Sequence, residues 1–196
     1  MAEAEADRAL DALALDRRTG LPDALRVLLD AYPREAWAND PGFSPLIRFW
    51  LDRHMMFRKL SDRMAGDARA ALEGRSDPRA HAAALARFGG MFVQELHGHH
   101  HIEDAHYFPV LSRHDARLER GFALLDADHH ALDRHLQAFV TRANAVLQAD
   151  ALARHDATGA FLEGLEGFAP LLERHLIDEE ELVVPVLLRH GERGIG

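Results

Sequence analysis

The chain has 196 residues, with 23 Lys and Arg against 32 Asp and Glu, which gives a formal net charge of −9. That length suits one sizeable domain, and the excess of acid argues against nucleic acid as a partner because an acidic surface repels phosphate. The chain contains no cysteine, which excludes disulfide frameworks, thiolate zinc sites and a cysteine nucleophile, but it holds 14 histidines.

The first 43 residues are predicted to form a helical extension. Residues 1–18 favour a short helix, a second begins after Thr19-Gly20-Leu21-Pro22 and reaches about Asp30, and residues 32–45 carry three prolines and are predicted to cross irregularly. The N-terminus lacks the basic and apolar regions of a signal peptide, and no apolar run approaches the roughly 20 residues that span a bilayer. We therefore expect a cytoplasmic protein that does not bind a membrane.

Four long helical segments follow, rich in Ala, Leu, Arg and Glu. Helix A is predicted from Ser44-Pro45 to about Leu72, helix B from Asp77-Pro78 to about Leu111, helix C over about residues 117–148 and helix D over about residues 158–188. Short connections between such helices predict an all-α, antiparallel up-down four-helix bundle over residues 44–196, with residues 1–43 packed on its side or end.

An internal repeat relates helices B and D. Residues 99–114 read HHHIEDAHYFPVLSRH and residues 175–190 read HLIDEEELVVPVLLRH, with identical residues at seven positions and a separation of 76. His54 lies 45 residues before His99, and His129 lies 46 before His175. The pattern predicts two similar helix pairs, each carrying one histidine and then one His-x-x-x-Glu.

The spacing of apolar neighbours predicts which polar residues face inward. Residues at i±3, i±4 and i±7 share a helix face, and the four repeat-related histidines all lie on apolar stripes. Six residues are therefore expected to converge: His54, His99, Glu103, His129, His175 and Glu179. We assign His97, His100 and His101 to the flank or surface of helix B.

Four imidazoles and two buried carboxylates predict a metal centre. Burying carboxylates without compensation costs several kcal/mol per charge, and metal is the usual compensation. The donor set suits Fe, Mn or Zn, and six protein ligands suit two ions bridged by Glu103 and Glu179 better than one tetrahedral zinc. The alternative is a bundle whose core histidines only hydrogen-bond to the two glutamates.

These motifs resemble the hemerythrin-like family, in its HHE cation-binding branch, over about residues 44–190. The resemblance implies a four-helix bundle holding a non-haem di-iron centre, with His54 on helix A, His99 and Glu103 on B, His129 on C, and His175 and Glu179 on D as ligands. The oxygen-carrying members have a second histidine one turn along the third helix, where this chain has Asp133, and a final His-x-x-x-x-Asp, where it has His-x-x-x-Glu.

His106 lies seven residues after His99, on the expected inner face, and its repeat partner is Leu182. We predict that it is an extra ligand to one metal or a donor to a ligand; the alternative is a polar residue near the mouth of the bundle.

The implied function is a di-iron protein that binds, senses or reacts with O2, NO or peroxide, or that handles iron. Two alternatives stay open: a metal-binding or storage module for Fe or Zn without turnover, and a regulatory interaction domain with an unknown protein partner. Fold and metal centre do not decide whether the protein is an enzyme.

Overall fold

The computed structural model describes residues 12–192 of the chain. Within that range the ordered elements are helices and turns, with no β-strand, which confirms the all-α class. None of the helices in residues 12–192 is both long enough and apolar enough to cross a membrane.

Five α-helices follow one another in residues 12–192. They are α1 Pro45–Leu72, α2 Pro78–Ile102, α3 Phe108–Leu111, α4 Glu119–Gln148 and α5 Arg154–His190. Predicted helices A, C and D correspond to α1, α4 and α5. Helix B was predicted to reach about Leu111, and the helical stretch does end there, but it is not regular throughout: α2 ends at Ile102, and a π-helical turn, Glu103–Tyr107, joins it to the short α3.

Aspartate side chains cap the chain at or just before the first turn of two long helices. Asp77 accepts hydrogen bonds from the backbone amides of Arg79 and Ala80 at the start of α2. Asp150 does the same for two amides just before α5. Such caps satisfy amides that have no partner in the first turn of a helix. Gly74, with a φ of 69°, supplies the left-handed residue that turns the chain after α1.

The N-terminal segment is more irregular than predicted. Residues 12–18 form turns, and the described chain up to α1 contains two 3₁₀ elements, Asp23–Leu25 and Arg34–Asn39. The predicted helix reaching Asp30 was wrong, and most of the one over residues 1–18 lies outside the described residues. A helix from Leu21 to Asp30 would be too short to be stable without tertiary contacts. The path of the segment therefore depends on the burial of side chains such as Leu21, Leu25 and Leu28.

Contacts between Cα atoms divide the chain into two compact units. Unit 1 comprises, of the described residues, 12–52, 101–131 and 173–192; unit 2 comprises 53–100 and 132–172. The core of unit 1 is aliphatic and aromatic and includes Leu25 and Trp37 of the N-terminal segment. Unit 2 is centred on phenylalanines, with Phe92 in ring contact with Phe57, Phe139 and Phe168.

Candidate metal centre

Two predicted ligands meet inside unit 2. His54 of α1 is fully buried and His99 of α2 is 7% exposed. Their Nε2 atoms lie 3.0 Å apart, and the rings are nearly perpendicular. Two nitrogens bound about 2.1 Å from one ion at a right angle would be about 3.0 Å apart, so the pair is spaced as two neighbouring ligands of one metal.

Two other predicted ligands meet inside unit 1. His129 of α4 and His175 of α5 are both buried, with ring centroids 4.8 Å apart. The Nδ1 atom of His129 lies 2.7 Å from Asp104 Oδ1, and Nδ1 of His175 lies 3.3 Å from Asp128 Oδ2. An imidazole that donates its Nδ1–H to a carboxylate presents the Nε2 lone pair to a metal, which is the usual arrangement behind a ligating histidine.

The predicted carboxylates lie beside those Nε2 atoms. Glu103 and Glu179 are both fully buried. An oxygen of Glu103 lies 3.6 Å from His129 Nε2, and an oxygen of Glu179 lies 3.5 Å from His175 Nε2. Trp50 Nε1 donates a hydrogen bond to the other oxygen of Glu179 and stacks edge-on against Tyr107. Each glutamate is therefore held next to a ring nitrogen of the same unit.

The buried donors form two groups that could each hold an ion. In each group one ligand atom per residue lies within 4.8 Å of the others: His54, His99, Glu103 and Glu179 form one, and His100, His129 and His175 form the other. All six of the residues selected from the repeat belong to these groups.

The seventh member, His100, is buried, contrary to the prediction that it lies on the flank or surface of helix B. It is only 5% exposed. Its repeat partner is Leu176, which is itself fully buried, so the position is an inward one in both halves of the repeat. The apolar residues Val93 and Leu96, seven and four residues before His100, indicate an inward face for this position. Asp104, four residues after it, is polar and made the same helix face appear partly exposed to solvent.

A family comparison now identifies the domain. The model of the hemerythrin HHE cation-binding domain matches residues 46–192, about three quarters of the chain. The chain belongs to the hemerythrin HHE family. That membership implies that the HHE domain binds metal cations. Comparisons with curated proteins and with solved structures gave no match.

The donor chemistry of this HHE domain fits a transition metal. Imidazoles with a minority of carboxylates suit Fe, Zn or Mn, whereas Ca²⁺ and Mg²⁺ prefer oxygen. Burial, and then the neighbouring His129, hold the pKa of His175 below its ordinary value although Asp128 and Glu179 oppose this. His175 is therefore neutral at physiological pH, which is the form that binds a metal.

His106 is not brought into this HHE centre. Its side chain is exposed, and it belongs to neither group of donors within the described residues. We placed it on the inner face by counting seven residues from His99 in a regular α-helix. The π-helical turn adds a residue between them, which rotates His106 away while Glu103 stays buried.

Proposed function

We propose that this chain is a hemerythrin-like non-haem di-iron protein that binds or reacts with a small ligand such as O2, NO or peroxide. The observation that carries the proposal is the pair of donor groups, four residues in one and three histidines in the other. Glu103 and Glu179 belong to the first group, and each also lies within 3.6 Å of a histidine of the second. A carboxylate so placed is suited to bridge two ions.

The number of donors favours reactivity at the metal pair. With both glutamates bridging, one ion would have two histidines and the other three, so each would have fewer protein ligands than the roughly six of an octahedral ion. Open positions are where a small ligand would bind, and iron would supply its redox chemistry. The protein would contribute orientation, since Asp104 and Asp128 fix the imidazoles of His129 and His175.

Metal stoichiometry tests the proposal directly. We expect the protein reconstituted anaerobically with Fe(II) to bind two irons per chain, and to develop the absorption bands of an oxo-bridged ferric pair on exposure to air. Nitric oxide added to the reduced protein should change its spectrum. Two bound zinc ions with no retained iron would favour the alternative of a metal-binding or storage module without turnover, and one ion or none would overturn the two-metal proposal.

Adjacent histidines supply a matched pair of variants. His100→Ala should lower the stoichiometry towards one iron or weaken the second iron at least tenfold, because it removes a ligand of the three-histidine group. His101→Ala changes an exposed neighbour and should bind two irons with unchanged affinity. Equal binding by both variants would remove His100 from the ligand set.

A further inference from the structure

Three arginines of the N-terminal segment contact the acidic run Asp178-Glu179-Glu180-Glu181 on α5. Arg18 Nε lies 2.7 Å from Asp178, and Arg34 and Arg26 each lie 2.5 Å from a carboxylate oxygen of Glu180 and Glu181. Glu179, between them, accepts its hydrogen bond from Trp50. The segment therefore neutralises the acids on either side of a candidate ligand.

Arg18 is the most deeply buried of the three. Its side chain is 2% exposed, compared with 27% for Arg26 and 44% for Arg34. It donates through both terminal nitrogens to the two oxygens of Asp128 and through Nε to Asp178. A planar guanidinium can hold two carboxylates in this way, whereas a lysine cannot reproduce the fork.

Asp128 connects Arg18 to a candidate metal ligand. One of its oxygens accepts from Arg18 and also lies 3.3 Å from His175 Nδ1. Arg18 thus holds the carboxylate of Asp128 in the orientation in which it faces the imidazole of His175. Neither Arg18 nor the rest of residues 12–43 lies in the 46–192 range of the family match.

We infer that Arg18 is a positioning residue of the metal centre, acting through Asp128 on His175, so that residues 12–43 complete a site that the HHE domain alone leaves unfinished. The inference rests on the proposed function for its metal. Asp178 also contacts Arg174, whereas Asp128 is held in place by Arg18. Without Arg18, the buried carboxylate of Asp128 would lose the guanidinium that orients it and would turn away from His175. His175 would then lose the acceptor that fixes its ring and its tautomer.

The test compares Arg18→Met with Arg18→Lys and with Arg26→Met. We expect Arg18→Met to release metal about tenfold to a hundredfold faster than the wild type, and Arg18→Lys to recover part of this loss. Arg26→Met removes a more exposed arginine of the same segment, whose acid contacts no ligand, and should release metal at the wild-type rate. Circular dichroism of each variant establishes that the helices are intact.

A second measurement does not depend on metal. Nitrogen NMR of histidine-labelled, metal-free protein reports which ring nitrogen of His175 carries the proton. We expect the Nδ1–H form in the wild type and in Arg26→Met, and its loss in Arg18→Met. An unchanged His175 signal and unchanged metal release in Arg18→Met would overturn the inference. Absence of metal from the wild type would instead refute the proposed function, and the NMR result would still decide the link from Arg18 to His175.

Discussion

The histidines of the stretch HGHHHIEDAH differ in environment although they lie within ten residues. His99 and His100 are buried, and His97, His101 and His106 are exposed. The first two contribute to different donor groups, which consecutive residues of a helix can do because their side chains point about 100° apart. Local composition therefore says little about ligation, and the face of the helix says most.

His81 is a buried histidine that belongs to neither donor group of the described residues. It is 4% exposed, neither ring nitrogen has a hydrogen-bond partner, and it lines a cavity of about 220 Å³ with Ser76, Arg154 and Thr158. A buried polar group without a partner costs about 1–3 kcal/mol. We predict that His81→Leu raises the free energy of unfolding by about 1–2 kcal/mol in urea titrations. The control variant His155→Leu alters an exposed residue that lines the same cavity and should leave the free energy of unfolding unchanged. A lower free energy of unfolding in His81→Leu than in the wild type would contradict the prediction.

His81 also predicts a pH dependence. Burial, the largest effect, and then the Arg154 charge lower the pKa of His81, while Asp67 opposes them. Below pH about 6.5 the unfolded chain takes up a proton at this residue that the folded chain binds less readily. Stability should therefore decline as the pH falls through this range, and His81→Leu should show a shallower decline. Parallel curves for the two proteins from pH 7.5 to 5.5 would contradict this assignment.

At the scale of elements, the π-helical turn is the main departure from regular geometry. The amide of Phe108 donates to the carbonyl of Glu103, five residues earlier. Pro109 follows and has no amide hydrogen, and in a regular helix its ring would clash with the carbonyl four residues before it, which favours a wider turn. Pro185, at the matching position of the repeat, lies within α5, which continues to His190. Proline alone therefore does not decide the turn.

The close approach of α4 to its neighbours in unit 1 depends on a glycine. A Cβ atom at Gly121 would lie 2.9 Å from both terminal carbons of Leu182 and 3.0 Å from the carbonyl oxygen of Leu25. We predict that Gly121→Ala lowers the free energy of unfolding by about 1–3 kcal/mol through overpacking. A Cβ atom at Gly167 on α5 would have no neighbouring atom within 4 Å. Gly167→Ala should therefore raise the free energy of unfolding by about 0.5–1 kcal/mol, because alanine favours helix more than glycine does. Denaturant titration of both variants measures the two free energies of unfolding. Equal changes in the two variants would contradict the prediction, because they would show that α4 can shift to make room for a methyl group at position 121.

At the scale of the whole molecule, metal should stabilise the fold. An ion that binds only the folded chain stabilises it by about 2.7 kcal/mol when its free concentration is 100 times Kd. For a chain of this size that corresponds to a rise in Tm of roughly 5–11 °C. We predict a rise of this size on loading with Fe(II) under anaerobic conditions, reversed by a chelator. The same Tm with and without metal would show that the ion does not bind the folded state preferentially.

Local sequence patterns predicted most of the helices and the candidate metal ligands of this protein. The periodicity of apolar residues identified the long helices to within a few residues, and the repeat selected His54, His99, Glu103, His129, His175 and Glu179, all of which occur in the two donor groups. This was possible because a helix fixes which residues share a face over a few turns. The antiparallel bundle order and the division at residue 43 stay predictions.

Tertiary structure decided the features that depend on a departure from regular geometry or on distant residues. The π-helical turn leaves His106 exposed and outside both donor groups of the described residues, whereas His100 is buried and belongs to one of them. The buried side chains of the N-terminal segment accompany its irregular path. The contact of Arg18 with Asp128 joins residues 110 positions apart, which no helical periodicity can indicate. Sequence determined which residues could ligate a metal, and packing between distant segments decided which of them are held in position.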